Sequence, residues 1–335
     1  MSKDKVKNLR NKDFWARNEK TNGYLLRRTL FDFGYKFVRA VIMFGLCFLI
    51  VQPLINKVSL SFMKTEDLYD ASVVNIPRHF TTTIYRHTMS IINFKKGLFF
   101  SVLFSLIVAI LQVFSATLVG YGFARFKFPF KKLLFGCVIL LIIIPPQVIM
   151  SPLFIFFNNF DIFGIVKALN HGKPLNLTNS FWPYLMMCIT CMGYRSGLYI
   201  FMLRQYFRGI PKELEEAAYV DGCGNFMTFI RIMLPDAKAM ITSCFLFAFV
   251  WQWTDSFYSK LFLGKVTLLP KELGSIQGRL DQYLVSNGLG TKASAAMLNQ
   301  YIATGSLLTI LPLLIIYLFA QKGFVESLSQ TGIKM

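Results

Sequence analysis

Residues able to do chemistry are few in this sequence, and most of them lie in one polar segment. Pro211 is followed by Glu213, Glu215 and Glu216, and the turn pair Asp221-Gly222 comes five residues later. Proline suits the first position of a helix, and carboxylates in the first turns interact favourably with the helix dipole. The pattern predicts a short helix whose acidic side chains can dock into another protein. Two solvated helices in an ordinary loop remain the alternative on composition alone.

A second candidate is the pair Cys188-x-x-Cys191, whose spacing also occurs in redox and metal sites. No second cysteine pair accompanies it, and the three histidines (His79, His87 and His171) show no metal-ligand spacing. Cysteine in an apolar run behaves as a small hydrophobic residue, and on a helix this spacing puts both side chains on one face. We therefore predict no metal site and no catalytic residues.

The composition indicates which elements must position the acidic segment. Of the 335 residues, 54% are hydrophobic and 16% are charged, whereas soluble domains carry about 25% charged residues. This balance predicts a membrane protein. The net charge of +19 does not indicate a nucleic-acid partner, because the basic residues form short clusters between apolar runs. That placement is typical of the cytoplasmic loops of a membrane protein.

Apolar runs of about 20 residues are long enough to cross a bilayer as helices. The sequence contains six such runs, which predict an all-α protein with a transmembrane domain over residues 37–320. The predicted spans are about 37–55, 97–120, 133–157, 181–203, 237–257 and 297–320.

Basic residues determine the predicted orientation. Ten Lys and Arg residues fall within residues 1–36, which places this segment in the cytoplasm. Counting onward, residues 121–132, the loop 204–236 and the tail 321–335 are cytoplasmic as well. The segment 56–96 carries six basic residues, although counting the spans places it outside the cell. Long segments can cross the membrane largely regardless of their charge, so this segment does not overturn the predicted orientation.

Two features inside the predicted spans have competing interpretations. Pro145-Pro146 removes two helix donors from the third span, so that helix must kink or break, either for packing or for gating. Arg195 lies within the fourth span between Gly193 and Gly197, and an ionised side chain at membrane depth suggests a functional site. Its side chain can also extend to the interface or face a water-filled cavity.

The polar loop carries a family resemblance. Glu216-Ala217-Ala218, three further residues, Gly222, nine further residues and Ile232-x-Leu234-Pro235 resemble the EAA loop of bacterial ABC importer permeases at each fixed position. There is no Gly-x4-Gly-Lys-Ser/Thr motif in the chain, so it has no phosphate-binding loop of its own.

Flanking segments resemble the carbohydrate branch of that family, which includes the smaller maltose permease subunit. They extend the resemblance from about residue 95 to the C-terminus, while residues 1–94 match mainly in layout. The matching segments are Gly120–Arg125, Pro145–Gln147, Phe201–Phe207, Trp253–Asp255 and Gln321–Val325. The resemblance implies a type I importer permease fold with six transmembrane helices and cytoplasmic termini.

The resemblance also implies roles for the loop residues. The EAA helix would be a coupling helix seated in a cleft of a separate ATPase, with Glu216 paired to a basic residue there. Ala217 and Ala218 would permit close packing, and Gly222 would supply the turn to the second helix. The ATPase-coupling set implied in this way is Glu216, Ala217, Ala218, Asp221, Gly222, Ile232, Leu234 and Pro235.

Partners follow from the same resemblance. They are a second permease subunit, expected to be a different chain, an ATPase dimer that uses ATP and Mg, and an extracellular or periplasmic sugar-binding protein. The chain itself would carry no cofactor, would not be an enzyme, and would reside as a multi-pass protein in the bacterial cell membrane. Two departures from the family pattern are Cys223, which stands where Ala or Ser is usual, and the longer outer segment 158–180.

The expected cargo is a sugar or oligosaccharide. Aromatic faces cover sugar CH groups while polar tips bind hydroxyls, which makes Gln147, Arg195, Trp251, Gln252, Trp253 and Asp255 the candidates for the substrate path. An importer for peptides, amino acids or phosphate is the main alternative. A membrane-embedded sugar transferase is a further one, but it needs acidic or histidine residues clustered at one membrane face.

Overall fold

The computed structural model describes residues 19, 23–73, 76–290 and 292–333. Within these residues the regular elements are helices, and the only strand-like contacts are two isolated β-bridges. The predicted all-α class is therefore confirmed. Residues 1–18 and 20–22 of the basic N-terminal segment, and Lys334 of the tail, lie outside the described residues.

Helices of the described residues are numbered here in chain order. They are α1 Tyr24–Phe62, α2 Thr83–Ile91, α3 Phe94–Arg125, α4 Lys131–Ile143, α5 Pro146–Asn158, α6 Ile165–Leu169, α7 Trp182–Ile189, α8 Ser196–Gly209, α9 Glu213–Val220, α10 Asn225–Asp236, α11 Lys238–Thr254, α12 Phe257–Phe262, α13 Leu269–Gly274, α14 Ile276–Ser286 and α15 Ala295–Ile333. A short 3₁₀ turn at Asp67–Tyr69 lies between α1 and α2, and the middle of α10 is π-helical.

Three unbroken helices in the described residues are long and apolar enough to cross a membrane. They are Leu26–Phe62, Phe94–Arg125 and Ala295–Leu318, which contain the first, second and most of the sixth predicted spans. The count rises to five when two bent helix pairs are each taken as one span. The backbone of α15 continues as a helix beyond the apolar part, through most of the predicted tail.

The third predicted span breaks at its two prolines. Helices α4 and α5 meet at Pro145-Pro146 with a bend of 106°. Pro145 is extended (φ −62°, ψ 134°) and Pro146 begins the next helix, a position where the missing N–H costs nothing. The predicted kink or break is thus present as a sharp turn between two helices.

The fourth predicted span is not one helix, which differs from the expectation for residues 181–203. Helix α7 ends at Ile189 and α8 begins at Ser196, so neither crosses a bilayer alone. The intervening backbone is left-handed at Cys191 (φ 58°) and Arg195 (φ 66°). Cys191 therefore does not share a helix face with Cys188, and both thiols are free.

Helix α3 lies at the centre of the bundle and packs most extensively against α8 and α11. Gly120 permits the close approach of α8, because a Cβ there would lie 3.0 Å from the Leu203 Cβ and 3.2 Å from the Arg204 backbone nitrogen. Gly197 does the same where α8 crosses α4, since its Cβ would lie 2.8 Å from the Val138 carbonyl oxygen. Glycines thus determine how closely these helices pack around α3.

Contacts between loops show which segments share an end of the bundle. The Arg125 side chain, at the end of α3, donates to the Ile210 carbonyl over 2.7 Å, so residues 121–132 and 204–236 share one end of the bundle. At the other end, Tyr69 and Ser294 hydroxyls lie 2.6 Å apart, and Arg279 donates to the Ile91 carbonyl over 3.3 Å.

Candidate coupling site

Helix α9 forms where the acidic segment predicts it and ends at the predicted turn. It begins at Glu213, two residues after Pro211, so Lys212 rather than proline flanks its first turn. At its end the Cys223 amide donates to the Ala218 carbonyl (2.9 Å), and the Gly222 amide donates to the Tyr219 carbonyl (3.1 Å). These two bonds form a Schellman motif, and it requires the left-handed backbone of Gly222 (φ 81°).

A buried ion pair anchors α9 to the helical bundle. The Glu215 Oε1 atom lies 3.3 Å from the Arg125 Nε atom, and their side chains are 10% and 8% exposed. The Tyr121 hydroxyl donates to the same carboxylate oxygen over 3.1 Å. Burial and the Glu215 carboxylate also raise the pKa of the neighbouring Tyr219. These contacts tie α9 to the end of α3.

The motif residues on α9 divide into an inward-facing and an outward-facing part. Ala218 is buried, at 3% exposure, and packs α9 against the bundle. Glu216, Ala217 and Asp221 are exposed. In the part of the chain that the structure describes, Glu216 has no ion-pair or hydrogen-bond partner. An exposed carboxylate beside a small exposed residue can accept charge-assisted hydrogen bonds from a partner that approaches closely.

Helix α10 connects the Gly222 turn to α11 and packs against aromatic side chains of the bundle. Phe229 lies under the loop, with its ring centre 4.7 Å from that of Tyr121. The Tyr206 hydroxyl donates to the Asp236 carbonyl over 2.9 Å and holds the far end of α10, which meets α11 at a bend of 74°. Ile232 and Leu234 are half-buried, and Pro235 is exposed. The motif residues thus shape a rigid helix–turn–helix.

The substitution Gly222→Val is expected to weaken coupling between the loop and the ATPase, because a β-branched residue is strained in the left-handed conformation of Gly222. We expect a cost of about 1–3 kcal/mol, enough to populate other turn geometries and lower uptake roughly tenfold. The matched control is Gly224→Val. Gly224 is equally open to solvent, but its backbone (φ −73°, ψ 164°) accepts any residue. Equal uptake by both variants, measured with labelled substrate, would show that the turn is not required.

A second group of candidate residues lies where α7 gives way to α8. The Arg195 guanidinium carbon lies 4.5 Å from the centre of the Trp251 ring and 5.4 Å from that of Tyr194. Its Nε atom is buried and makes no hydrogen bond among the described residues. Tyr194 also contacts Tyr258, whose hydroxyl donates to the Pro146 carbonyl over 3.4 Å. Exposed Gln147 follows directly, at the break between α4 and α5.

The remaining path candidates are held by contacts within the chain. The Trp253 ring is 1% exposed, and its Nε1 donates to the Thr309 carbonyl over 3.2 Å. The Asp255 carboxylate accepts from the Tyr184 hydroxyl over 2.7 Å and from three backbone amides at the start of α12. Gln252 is buried, and its Nε2 atom has no partner among the described residues. The structure therefore groups Arg195 and Trp251, whereas Trp253 and Asp255 bind other parts of this chain.

Several residues of both groups were not singled out by sequence reasoning. Tyr121 and Arg125 form the anchor with Glu215, and only the matching Gly120–Arg125 segment pointed toward these two. Glu215 was named as an acidic residue of the predicted helix, but its burial against Arg125 was not predicted. Gln112, buried within α3, donates to the Tyr194 carbonyl over 2.5 Å and to the Ser196 hydroxyl over 2.9 Å. A glutamine in the middle of an apolar helix was the available signal, because polar groups at that depth need partners.

In the described residues, the helical fold with broken spans and an anchored helix–turn–helix at one end agrees with a membrane protein that has several spans. The family model that describes the binding-protein-dependent transport system inner membrane component matches residues 112–329. The chain belongs to this family. It is thus a multi-pass inner-membrane permease subunit.

Individual relatives agree with this assignment. A probable ABC transporter permease protein of Pyrococcus horikoshii is 32% identical over 67% of this chain and 71% of its own length. The arabinooligosaccharides transport system permease protein AraQ of Halalkalibacterium halodurans is 26% identical over 86% of this chain and 93% of its own. A solved bacterial ABC transporter involved in the import of alginate superposes with a TM-score of 0.64. It covers 87% of this chain and 96% of its own at 16% identity, which shows a shared fold.

Proposed function

We propose that this chain is one permease subunit of an ABC importer for a sugar or oligosaccharide, driven by a separate ATPase through the loop 204–236. The observation that carries the proposal is that two neighbouring glutamates of α9 face opposite ways. Glu215 is buried against Arg125 and anchors the helix, while Glu216 one position later is exposed and unpaired among the described residues. Such a helix can receive a force from outside and pass it to α3.

Relatives support the choice of cargo. Besides AraQ, they include the alpha-glucoside transport system permease protein AglG of Rhizobium meliloti, 26% identical over 77% of this chain. The diacetylchitobiose uptake system permease protein NgcG of Streptomyces coelicolor is 24% identical over 84%. The Arg195–Trp251 cluster adds a chemical argument, because an aromatic face and hydrogen-bond donors together suit a sugar. We propose Gln147, Arg195, Trp251 and Gln252 as the path-lining part of this subunit.

The proposed importer also contains partner proteins. A second, different permease subunit would share the path, an ATPase dimer would bind ATP and Mg, and a binding protein would deliver the sugar from outside. Apolar side chains on one face of α3 support the permease interface. Phe114 is 64% exposed and Ile110 is 50% exposed, although the opposite face of the helix is buried. These residues and Phe245 line an apolar groove of about 350 Å³ between α3 and α11.

Affinity purification of the tagged chain from mild detergent tests the proposal. We expect an ATPase with a phosphate-binding loop and a second permease to co-purify, together with a binding protein that can be screened against sugars. Binding of oligosaccharides by that protein supports the cargo, whereas binding of peptides or phosphate would contradict it. Recovery of this chain alone, still folded, would contradict the importer itself.

A further inference from the structure

One strongly basic cleft lies beside the coupling helix, and of its cationic residues only Arg125 belongs to the anchor described above. Its lining contains five cationic side chains, drawn from the end of α3, the start of α4, the last turns of α8 and the approach to α9. They are Arg125, Lys131, Arg204, Arg208 and Lys212, and with Phe123 and Ala124 they line a cleft of about 380 Å³. We refer to these seven residues as the basic cleft.

Most of the positive charge in the basic cleft is not neutralised by the chain. Arg125 is paired with Glu215, but among the described residues the other four cations have no carboxylate partner. Arg204 and Arg208 are four residues apart, so they share one face of α8. The Arg204 Nε atom is buried without a hydrogen-bond partner. Like charges held this close repel one another, and a bound anion would relieve that repulsion.

Neighbouring residues place the basic cleft at the edge of the apolar surface. Lys131 also lines an adjacent hollow with Lys127, Lys132, Phe130 and Leu133. In that hollow the Phe130 and Leu133 side chains are 76% and 66% exposed. Lysines that alternate with exposed apolar side chains at the end of a span are typical of the membrane–water interface. An occupant of the basic cleft can therefore contact apolar side chains at the same time.

We propose that the basic cleft binds the phosphate headgroup of an anionic phospholipid. Guanidinium groups bind phosphate oxygens in a bidentate manner, and Arg204 and Arg208 supply two of them on one helix face. Exposed Phe130 and Leu133 give the lipid chains an apolar surface, which a free phosphate or a soluble acidic protein does not need. The lipid would tie the end of α8 to the membrane beside the moving coupling helix.

Native mass spectrometry of the purified full chain, with its co-purifying subunits, tests this proposal. Delipidated protein is titrated with phosphatidylglycerol and with phosphatidylcholine. We expect tighter binding of phosphatidylglycerol, and about thirtyfold weaker binding after Arg204→Gln with Arg208→Gln, since each cation contributes about 1 kcal/mol. Arg208→Gln alone, at an exposed position, serves if the double variant does not fold, with about a fivefold loss expected.

Lys95→Gln with Lys96→Gln is the matched control, because it removes the same charge from the opposite end of α3. The control is expected to keep the preference for phosphatidylglycerol. Equal losses in both double variants would show unspecific attraction and overturn the proposal. Displacement of the lipid by millimolar inorganic phosphate would identify a free-anion site and overturn the lipid assignment, as would equal binding of the two lipids.

Discussion

Replacing Glu216 with alanine is expected to abolish uptake while the protein remains folded in the membrane. The Glu216 carboxylate is exposed and has no partner within the described residues, so its removal costs this chain little stability. In the assembled importer it would be buried against a cation of the ATPase. Truncating such a pair costs about 2–5 kcal/mol, which predicts a loss of coupling of roughly thirtyfold or more. Uptake of labelled sugar and retention of the ATPase on purification measure the effect.

Glu213→Ala is the matched control for that variant. Glu213 is exposed on the same helix, and its removal changes the charge of the loop by the same amount. We expect the control to retain most of the uptake. If the two variants lose uptake equally, the net charge of the loop matters and the assigned role of Glu216 is wrong.

Replacing Glu215 with alanine is expected to produce the opposite result, a loss of stability. The substitution leaves Arg125 buried without its carboxylate, and breaking a buried pair from one side costs about 3–5 kcal/mol. The thermal unfolding midpoint of the purified protein should fall, and the amount of protein in the membrane should fall with it. Tyr121→Phe removes only one hydrogen bond to the same carboxylate, so its cost should be about 1 kcal/mol.

A double substitution distinguishes a lost charge pair from a lost shape. Glu215→Leu with Arg125→Met removes both charges and keeps the volume, which often restores stability at a buried site. We expect the double variant to unfold at a higher temperature than Glu215→Ala. A Glu215→Ala variant as stable as the parent protein would contradict the role of the ion pair as an anchor. A double variant less stable than both Glu215→Leu alone and Arg125→Met alone would also contradict it.

The features that local rules predicted are those that depend on short segments of chain. Proline geometry predicted the break at Pro145-Pro146, and the Asp221-Gly222 pair predicted where α9 ends. The long apolar helices followed from hydropathy alone. In each of these cases the determining residues lie within one or two turns of the feature itself.

What escaped prediction depends on contacts between distant parts of the chain. Glu215 and Glu216 are the same residue type in adjacent positions, and their difference arises from Arg125, which lies 90 residues earlier. Apolar Leu214 is 45% exposed while the neighbouring Glu215 is buried, which a hydropathy pattern does not predict. The split of the fourth span is similar. Left-handed backbone at Arg195 is uncommon for a residue other than glycine, and it accompanies the Gln112 contacts to Tyr194 and Ser196.

Photo-crosslinking from the coupling helix tests the central claim most directly. Val220, 87% exposed at the end of α9, is replaced with benzoylphenylalanine, and the control carries the same group at Phe163, fully exposed in the predicted outer segment 158–180. After irradiation of intact membranes, we expect a covalent product with a Walker-motif ATPase from position 220 and none from position 163. An ATPase product from position 163, or folded protein that yields none from position 220, would contradict the assignment of this loop as the coupling site.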